Sequence, residues 1–162
     1  MARALIVGCG CRGRELGRHL LDAGWAVRGT TREPARTAGI EAAGIEAAVA
    51  DPDRAITILD QVADVAIVCW LLGSASDTPE ALAAIHGARL ERLLEELVDT
   101  PVRGIVYEAA GTVPDPCFEA GKRALRAANE RWRIPYALIT ADPAEHGAWA
   151  ADAKAAVAAL VA

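Results

Sequence analysis

Aromatic residues are scarce in this chain of 162 residues, where one Phe, two Tyr and four Trp make up 4% of the sequence. The hydrophobic share is nevertheless 53%, so the core must consist mainly of Ala, Leu, Val and Ile. The chain also has no excess of basic residues, since its formal net charge is -5. Proteins that bind nucleic acid usually present a basic face, so the composition argues against a nucleic-acid partner.

Long hydrophobic runs and cysteine pairs are missing as well. No apolar run reaches the ~18 residues that a bilayer span needs, and the start, MARALIVGCGCRGR, lacks the layout of a secretory signal. We therefore expect a cytoplasmic protein with no membrane partner. The four cysteines are too few and too scattered for a disulfide framework, which makes reduced thiols the default.

Short apolar runs alternate with helical patterns along the whole chain. The runs predict strands at 3–8, 25–30, 45–50, 64–72, 103–109 and 135–140, and the helical patterns fall at 12–23, 34–43, 53–62, 78–97, 115–132 and 144–160. This alternation is typical of an α/β fold with a doubly wound parallel sheet. Right-handed crossovers favour the six-stranded Rossmann order 3-2-1-4-5-6. Residues 1–162 would then form a single minimal domain with no separate substrate domain.

The stretch GCGCRG follows the first predicted strand and opens the first predicted helix. It permits two interpretations, a metal or redox site on its cysteines or a phosphate cradle on Gly8, Gly10 and Gly13. The spacing G-x-G-x-x-G in this context favours the cradle, because such glycines allow a tight turn and a close approach of backbone to a pyrophosphate. The helix N-terminus adds free N–H groups and a positive dipole end.

Cys9 and Cys11 occupy the variable positions of this motif. No second cysteine pair and no nearby His completes a zinc site, so we predict no metal. A redox-sensitive thiol is the alternative, because a helix N-terminus and Arg12 would lower the thiol pKa. We favour the simpler interpretation, in which both are small residues that fit a glycine loop.

The end of the second strand predicts which nucleotide binds. NAD-selective folds place an Asp or Glu there to bind the ribose 2′-hydroxyl. This strand ends in Thr30, Thr31 and Arg32, with no acid before Glu33. Two hydroxyls and a guanidinium suit a 2′-phosphate, and Arg12 supplies a second cation. The sequence therefore favours NADP(H) over NAD(H).

Most of the chain resembles the extended and atypical short-chain dehydrogenase/reductase families. The stretch LIVGCGCRGRELGRHLLDAGWAVRGTTR is similar to their glycine loop, first helix and second strand, and ADPD, DVAIVCWLL, RGIVYEAAG and RALRAANERWRIPYALITAD resemble later segments in order. The resemblance implies Asp51 near the adenine and Trp70 and Leu71 beside the nicotinamide, although Trp70 also suits the core. The expected cofactor-binding set is Gly8, Gly10, Cys11, Arg12, Gly13, Thr30, Thr31, Arg32, Asp51, Trp70 and Leu71.

The catalytic pattern of those families is incomplete here. They use a Ser after the fifth strand and a Tyr four residues before a Lys. Ala109 and Ala110 follow the strand instead, and Phe118 stands four residues before Lys122. A phenyl ring cannot transfer a proton, so the resemblance implies a protein without the standard relay.

Three residues are the remaining candidates for chemistry. Glu108 ends a central strand, where burial would raise its pKa toward that of a useful acid or base, unless a helix N-terminus or an arginine satisfies it. Lys122 matches the family lysine, and His86 falls near the position of the family's fourth-helix Asn, although a packed histidine is the favoured interpretation. Tyr107 would face the opposite side of the strand.

Two main functional hypotheses follow. One is an enzyme and the other is not, and the sequence does not decide between them. The missing Ser and Tyr favour a cofactor-binding or redox-sensing module that acts on a protein partner. The alternative is a small NADPH-dependent reductase that passes hydride to a small-molecule substrate, and a remnant of a sugar-nucleotide epimerase is a weaker third. The leucine-rich fourth predicted helix, together with the fifth, would also suit a homodimer, as in many relatives.

Overall fold

Six parallel strands form one sheet in the order β3-β2-β1-β4-β5-β6 in the computed structural model, which describes residues 1–162. The strands are β1 (Arg3–Val7), β2 (Ala26–Thr31), β3 (Glu46–Val49), β4 (Ile67–Trp70), β5 (Gly104–Glu108) and β6 (Tyr136–Ile139). The α-helices are α1 (Cys11–Asp22), α2 (Thr37–Ala42), α3 (Ala55–Leu59), α4 (Pro79–His86), α5 (Ala88–Leu97), α6 (Asp115–Trp132) and α7 (His146–Val161). The fold class and strand order predicted from the sequence are confirmed.

The central strands are apolar because helices cover both faces of the sheet. All residues of β4 and β5 are buried, as expected for parallel strands inside an α/β fold. One core cluster of 22 buried residues joins the sheet to α3, α4, α5 and α6. A second cluster of 18 joins the other face to α1, α2 and α7. Neighbouring residues of β5 separate accordingly, with Tyr107 in the first cluster and the Glu108 side chain bonded to α7.

The predicted single helix 78–97 is wrong, because the chain forms two helices there. Gly87 has φ -118 and ψ -106, which interrupts the helix between α4 and α5. A Cβ at this position would lie 2.7 Å from the Ala83 carbonyl oxygen, so glycine permits the break. The predicted start is confirmed, since the Thr78 hydroxyl accepts a hydrogen bond from the Ala81 N–H at 3.2 Å.

None of the helices combines the length and the apolar character needed to cross a bilayer.

Candidate functional site

A cavity of about 570 Å³ runs along the carboxyl edge of the sheet. Residues at or just beyond the ends of all six strands line it, from Gly8 after β1 to Pro143 after β6. Open α/β sheets bind ligands at this edge, where the strand order reverses. The glycine loop, the end of β2 and Glu108 therefore lie around one space.

The fold itself accounts for two of the three motif glycines, strictly for Gly8 and through a tight contact for Gly13. Gly8 has φ +84, and a Cβ there would lie 2.4 Å from the Leu71 carbonyl oxygen. A Cβ on Gly13 would lie 3.0 Å from the Gly8 carbonyl oxygen, where α1 packs against β1. These two positions keep the turn tight and the helix close to the sheet.

Gly10 differs from the other two, because no atom of the protein lies within 4 Å of the position of its absent Cβ. Its φ of -85 with ψ -151 is extended backbone that other residues adopt. Gly10 also lines the cavity. The fold alone therefore does not require glycine here, whereas a ligand lying close against the backbone would.

The N-terminus of α1 opens beside Gly10 without a side-chain cap. The first N–H groups of a helix have no acceptor within the helix, and the dipole there is positive. Arg12 stands in the first turn, where its guanidinium bonds to Glu15 and donates to the His146 ring at 3.0 Å. This arrangement offers an anion several N–H donors and one fixed cation.

The end of β2 forms the second polar part of the cavity. Thr30 is buried, and the Thr31 hydroxyl accepts from the Glu33 N–H at 3.1 Å. Arg32 donates to Asp77 at 2.9 Å, and this contact holds the pKa of the Asp77 carboxyl below its usual range. Arg36 also lines the cavity and donates to Glu33 at 2.8 Å. Arg36 is not among the residues predicted from the sequence, although a second arginine four positions after Arg32 was a usable signal.

Glu108 is 3% exposed and forms part of the cavity wall near β4 and β5. Its Oε1 accepts from the Gly73 N–H at 2.8 Å, and its Oε2 accepts from the Trp149 indole N–H at 2.7 Å. Burial raises the pKa of this carboxyl, while the two hydrogen bonds oppose the rise. Neither a helix N-terminus nor an arginine satisfies Glu108, and both of its actual partners were missed from the sequence.

Two residues of the expected cofactor set do not reach the cavity with their side chains. Trp70 is 1% exposed within the core cluster next to α4, and its indole N–H donates to the Ile85 carbonyl at 3.2 Å. Asp51 accepts from the Asp53 N–H at 2.9 Å, and only its neighbours Ala50 and Pro52 line the cavity. Trp70 thus takes the core position that was its alternative.

His86 and Lys122 also lie away from the cavity. His86 is fully buried, with Nδ1 2.6 Å from the Tyr107 hydroxyl and Nε2 3.0 Å from the Leu72 carbonyl oxygen. A carbonyl only accepts, so Nε2 carries the proton and Nδ1 accepts from Tyr107. Burial lowers the pKa of His86, which keeps the ring neutral. Lys122 pairs with Glu119 at 2.7 Å on the surface of α6.

The two cysteines of the glycine loop differ in their exposure to solvent. Cys9 and Cys69 are buried, and burial raises the pKa of each thiol to about 12. For Cys9 the loss of hydration outweighs the opposing effect of the nearby Arg14 charge, so this thiol does not have the lowered pKa expected of a redox-sensitive cysteine. Cys11 is exposed at the cavity. No group of three or more His, Cys, Asp or Glu residues is arranged to hold a metal ion.

No protein-family model matches the sequence, and no curated protein is similar to it. Solved structures are similar in fold. UDP-glucuronic acid 4-epimerase from Bacillus cereus in complex with NAD has TM-score 0.66 at 14% identity, over 84% of this chain and 55% of that chain. A short-chain dehydrogenase/reductase superfamily protein from Agrobacterium tumefaciens with bound NAD has TM-score 0.67 at 19% identity, over 84% and 48%. UDP-glucose 4-epimerase from Thermotoga maritima has TM-score 0.70 at 13% identity, over 84% and 54%.

The likeness covers most of this chain but only about half the length of these three proteins. At such low identity it concerns the arrangement of the backbone, and it agrees with the strand order 3-2-1-4-5-6. The expectation raised by the glycine loop and the later segments is thereby confirmed at the level of fold. The chain has the Rossmann fold found in the short-chain dehydrogenase/reductase superfamily and the UDP-sugar epimerases.

Proposed function

We propose that this protein binds a nicotinamide dinucleotide, NADP(H) in preference to NAD(H), and acts as a cofactor-binding or redox-sensing module. Gly10 carries the proposal. The protein leaves open space where its side chain would be, and that space belongs to the cavity beside the uncapped start of α1. A pyrophosphate needs such backbone access together with free N–H groups.

The residues at the cavity fit the parts of this cofactor. The backbone at Gly10 and the first turn of α1 would hold the pyrophosphate, with Arg12 as its cation. The end of β2 would hold the adenosine ribose, and Glu108 stands toward the other end of the cavity. A bound nicotinamide would supply hydride transfer, whereas this chain would supply position and electrostatic environment.

The preference for NADP(H) rests on the charges at the end of β2. Arg32 and Arg36 both line the cavity, and each is paired with a partly or fully exposed acid that a phosphate can replace. Glu33 is the first acid after the strand, and Arg36 holds its carboxylate. A 2′-phosphate thus meets two guanidinium groups, whereas a 2′-hydroxyl lacks the acid partner typical of NAD sites.

The sensing function is favoured over catalysis by the residues at the family's catalytic positions. Ala109, Ala110 and Phe118 have no proton to exchange, and Lys122 is bound to Glu119 at the surface of α6. One observation favours a small reductase as the second candidate: the Glu108 carboxyl is buried at the cavity with a raised pKa. Such a group is suited to giving or taking a proton.

The test is a titration of the protein with NADPH and NADH, read by energy transfer from tryptophan to the nicotinamide. Trp149 is a suitable donor because its indole contacts Glu108 at the cavity. We expect tighter binding of NADPH, a loss of binding of both nucleotides in Gly10→Val, and a selective loss of NADPH affinity in Arg32→Ala. Gly147→Val is the matched control, since that glycine also has open space around its absent Cβ but lies outside the cavity.

Two results would count against the proposal. If neither nucleotide binds, the glycine loop serves another ligand or none. If Gly10→Val binds as well as the parent protein, the pyrophosphate does not lie against the loop. For the reductase alternative, turnover of NADPH with a panel of small carbonyl compounds should disappear in Glu108→Gln.

We also propose that two copies of the chain associate through α5 and α6. A groove between these helices is lined mainly by alanines, by Glu91, Arg92 and Glu95 on α5, where Arg92 is paired with Glu96, and by Arg123 and Arg131 on α6. A two-fold axis would place the acids of one copy against the arginines of the other. Light scattering should give a dimer mass, and Arg123→Glu should shift it toward the monomer.

A further inference from the structure

Glu108 lies at the opposite side of the cavity from the proposed 2′-phosphate site. The strand order places β2, with Arg32 just after it, at one side, the glycine loop and the end of β4 in the middle, and β5 with Glu108 beyond them. A dinucleotide held at its pyrophosphate by α1, with its adenosine at β2, must direct its nicotinamide half toward β4 and β5. This step rests on the proposed function.

The contacts of Glu108 stabilise its ionised form and so oppose the effect of burial, which raises its pKa. Both oxygens accept hydrogen bonds, from the Gly73 N–H at 2.8 Å and from the Trp149 indole N–H at 2.7 Å. Neither partner can accept a proton from a neutral carboxylic acid.

No cation of the protein balances this charge. The ion pairs of the chain involve other acids, and Glu108 is absent from all of them. A buried carboxylate without a cation is costly, and most buried charges in proteins are paired. Because Glu108 also lines the cavity, a positively charged group of a ligand is the partner that this position lacks.

We propose that Glu108 makes the cavity select the oxidised nicotinamide dinucleotide over the reduced one. The oxidised ring carries a positive charge and the reduced ring is neutral, while the ribose, phosphate and adenine groups of the two forms are the same. Interactions with those shared groups therefore cancel in the ratio of the two affinities. The attraction between a buried carboxylate and the ring charge remains, and it is strong where water is excluded.

The consequence is a site whose occupancy follows the redox state of the nucleotide pool. A ligand shifts an equilibrium only by its difference in affinity for two states. Glu108 would provide that difference without a proton relay, which is compatible with alanines at positions 109 and 110.

The experiment measures Kd for NADP+ and for NADPH by isothermal titration calorimetry. We expect the parent protein to bind NADP+ more tightly, and Glu108→Gln to lower this preference by on the order of tenfold, as expected when one close charge interaction is lost. Glu33→Gln is the matched control. It removes a carboxylate from the opposite part of the same cavity and should change both affinities by the same factor.

Glu108→Gln could fail to fold, because the buried indole N–H of Trp149 would lose its acceptor. A second pair of variants avoids this problem. Trp149→Phe removes that donor and keeps the carboxylate, and Trp149→Phe with Glu108→Gln then lacks the charge without an unpaired indole. The preference for NADP+ should persist in the first and fall in the second. An equal ratio of affinities in the two overturns the inference, as does a parent protein that prefers NADPH. If neither form binds to the folded parent, the proposed function fails instead.

Discussion

Replacing Tyr107 by Phe tests the polar contact buried between β5 and helices α4 and α6. The hydroxyl donates to Nδ1 of His86 at 2.6 Å, and the imidazole stacks edge-on against Phe118 with ring centroids 5.5 Å apart. Both polar residues are inaccessible to water. The variant keeps the aromatic ring and removes a single oxygen atom, so it isolates the hydrogen bond.

The expected loss follows from what the hydroxyl contacts. Without it, His86 Nδ1 is a buried acceptor with no donor, which costs about 1–3 kcal/mol. A small void also opens next to Gly121, whose absent Cβ would lie 2.1 Å from the hydroxyl oxygen. The gain from no longer burying a hydroxyl offsets part of this cost, so we expect about 2 kcal/mol of lost stability.

Urea unfolding followed by tryptophan fluorescence measures this loss, and thermal unfolding should show a fall in Tm of about 2–4 °C per kcal/mol for a domain of this size. A double-mutant cycle with His86→Leu assigns the energy to the pair. In the His86→Leu background the same Tyr107→Phe change should cost far less, since the acceptor is already gone.

An equal cost in both backgrounds would refute this reasoning, because the loss would then come from the void rather than from the hydrogen bond. A cost below about 0.5 kcal/mol in the parent background, the range of neutral surface changes, would also refute it. Nucleotide affinity serves as a control, because Tyr107 faces the helices and not the cavity.

Three further predictions concern other parts of the chain. Thr78→Ala should lower the free energy of unfolding by about 1 kcal/mol, because the cap of α4 is lost, and Thr78→Ser should restore most of it in the same urea assay. In the native protein, Cys11 should react with a thiol reagent much faster than Cys9 and Cys69, which are buried with raised pKa values, as mass spectrometry of the labelled protein would show. Stability should fall between about pH 7.5 and pH 5.5, and less so in His86→Leu, because the unfolded chain protonates this histidine below its usual pKa of about 6.5 while the folded protein does not.

Each of these has a clear contrary result. Equal stability of Thr78→Ala and the parent would mean that Pro79 and the first turn suffice to start α4. Equal labelling of Cys9 and Cys11 would mean that the glycine loop opens readily in solution. The same pH dependence in His86→Leu and the parent would assign the acid sensitivity to other groups.

The sheet could be predicted from the sequence because its signals are local. Each strand is a short apolar run, and strands alternating with helices permit few arrangements. The break at Gly87 was missed because the apolar spacing of residues 78–97 continues through it, and periodicity does not register the backbone angles of one glycine. A continuous apolar run such as β4 also does not reveal which face each side chain takes, so Trp70 could not be assigned to the core.

The candidate site could be predicted only where its residues follow the strands directly. The glycine loop and Thr30 to Arg32 belong to this group. Glu108 was recognised at a strand end, but its donors lie 35 and 41 positions away, at Gly73 and Trp149. Such pairings depend on how the loop after β4 and helix α7 pack in three dimensions, which no local pattern records.

The side chains of Tyr107 and Glu108 lie on opposite faces of β5. This arrangement restricts where residues can be inserted without loss of the fold. Moving the strand by one position would exchange the two side chains, placing a carboxylate against His86 of α4 and Gly121 of α6 and a phenol against α7. Insertions in the turn before β5, at residues 99–103, leave that alignment intact, because the strand can keep its pairing with β4. An insertion scan should therefore find that turn permissive and β5 itself intolerant, with the boundary close to Gly104.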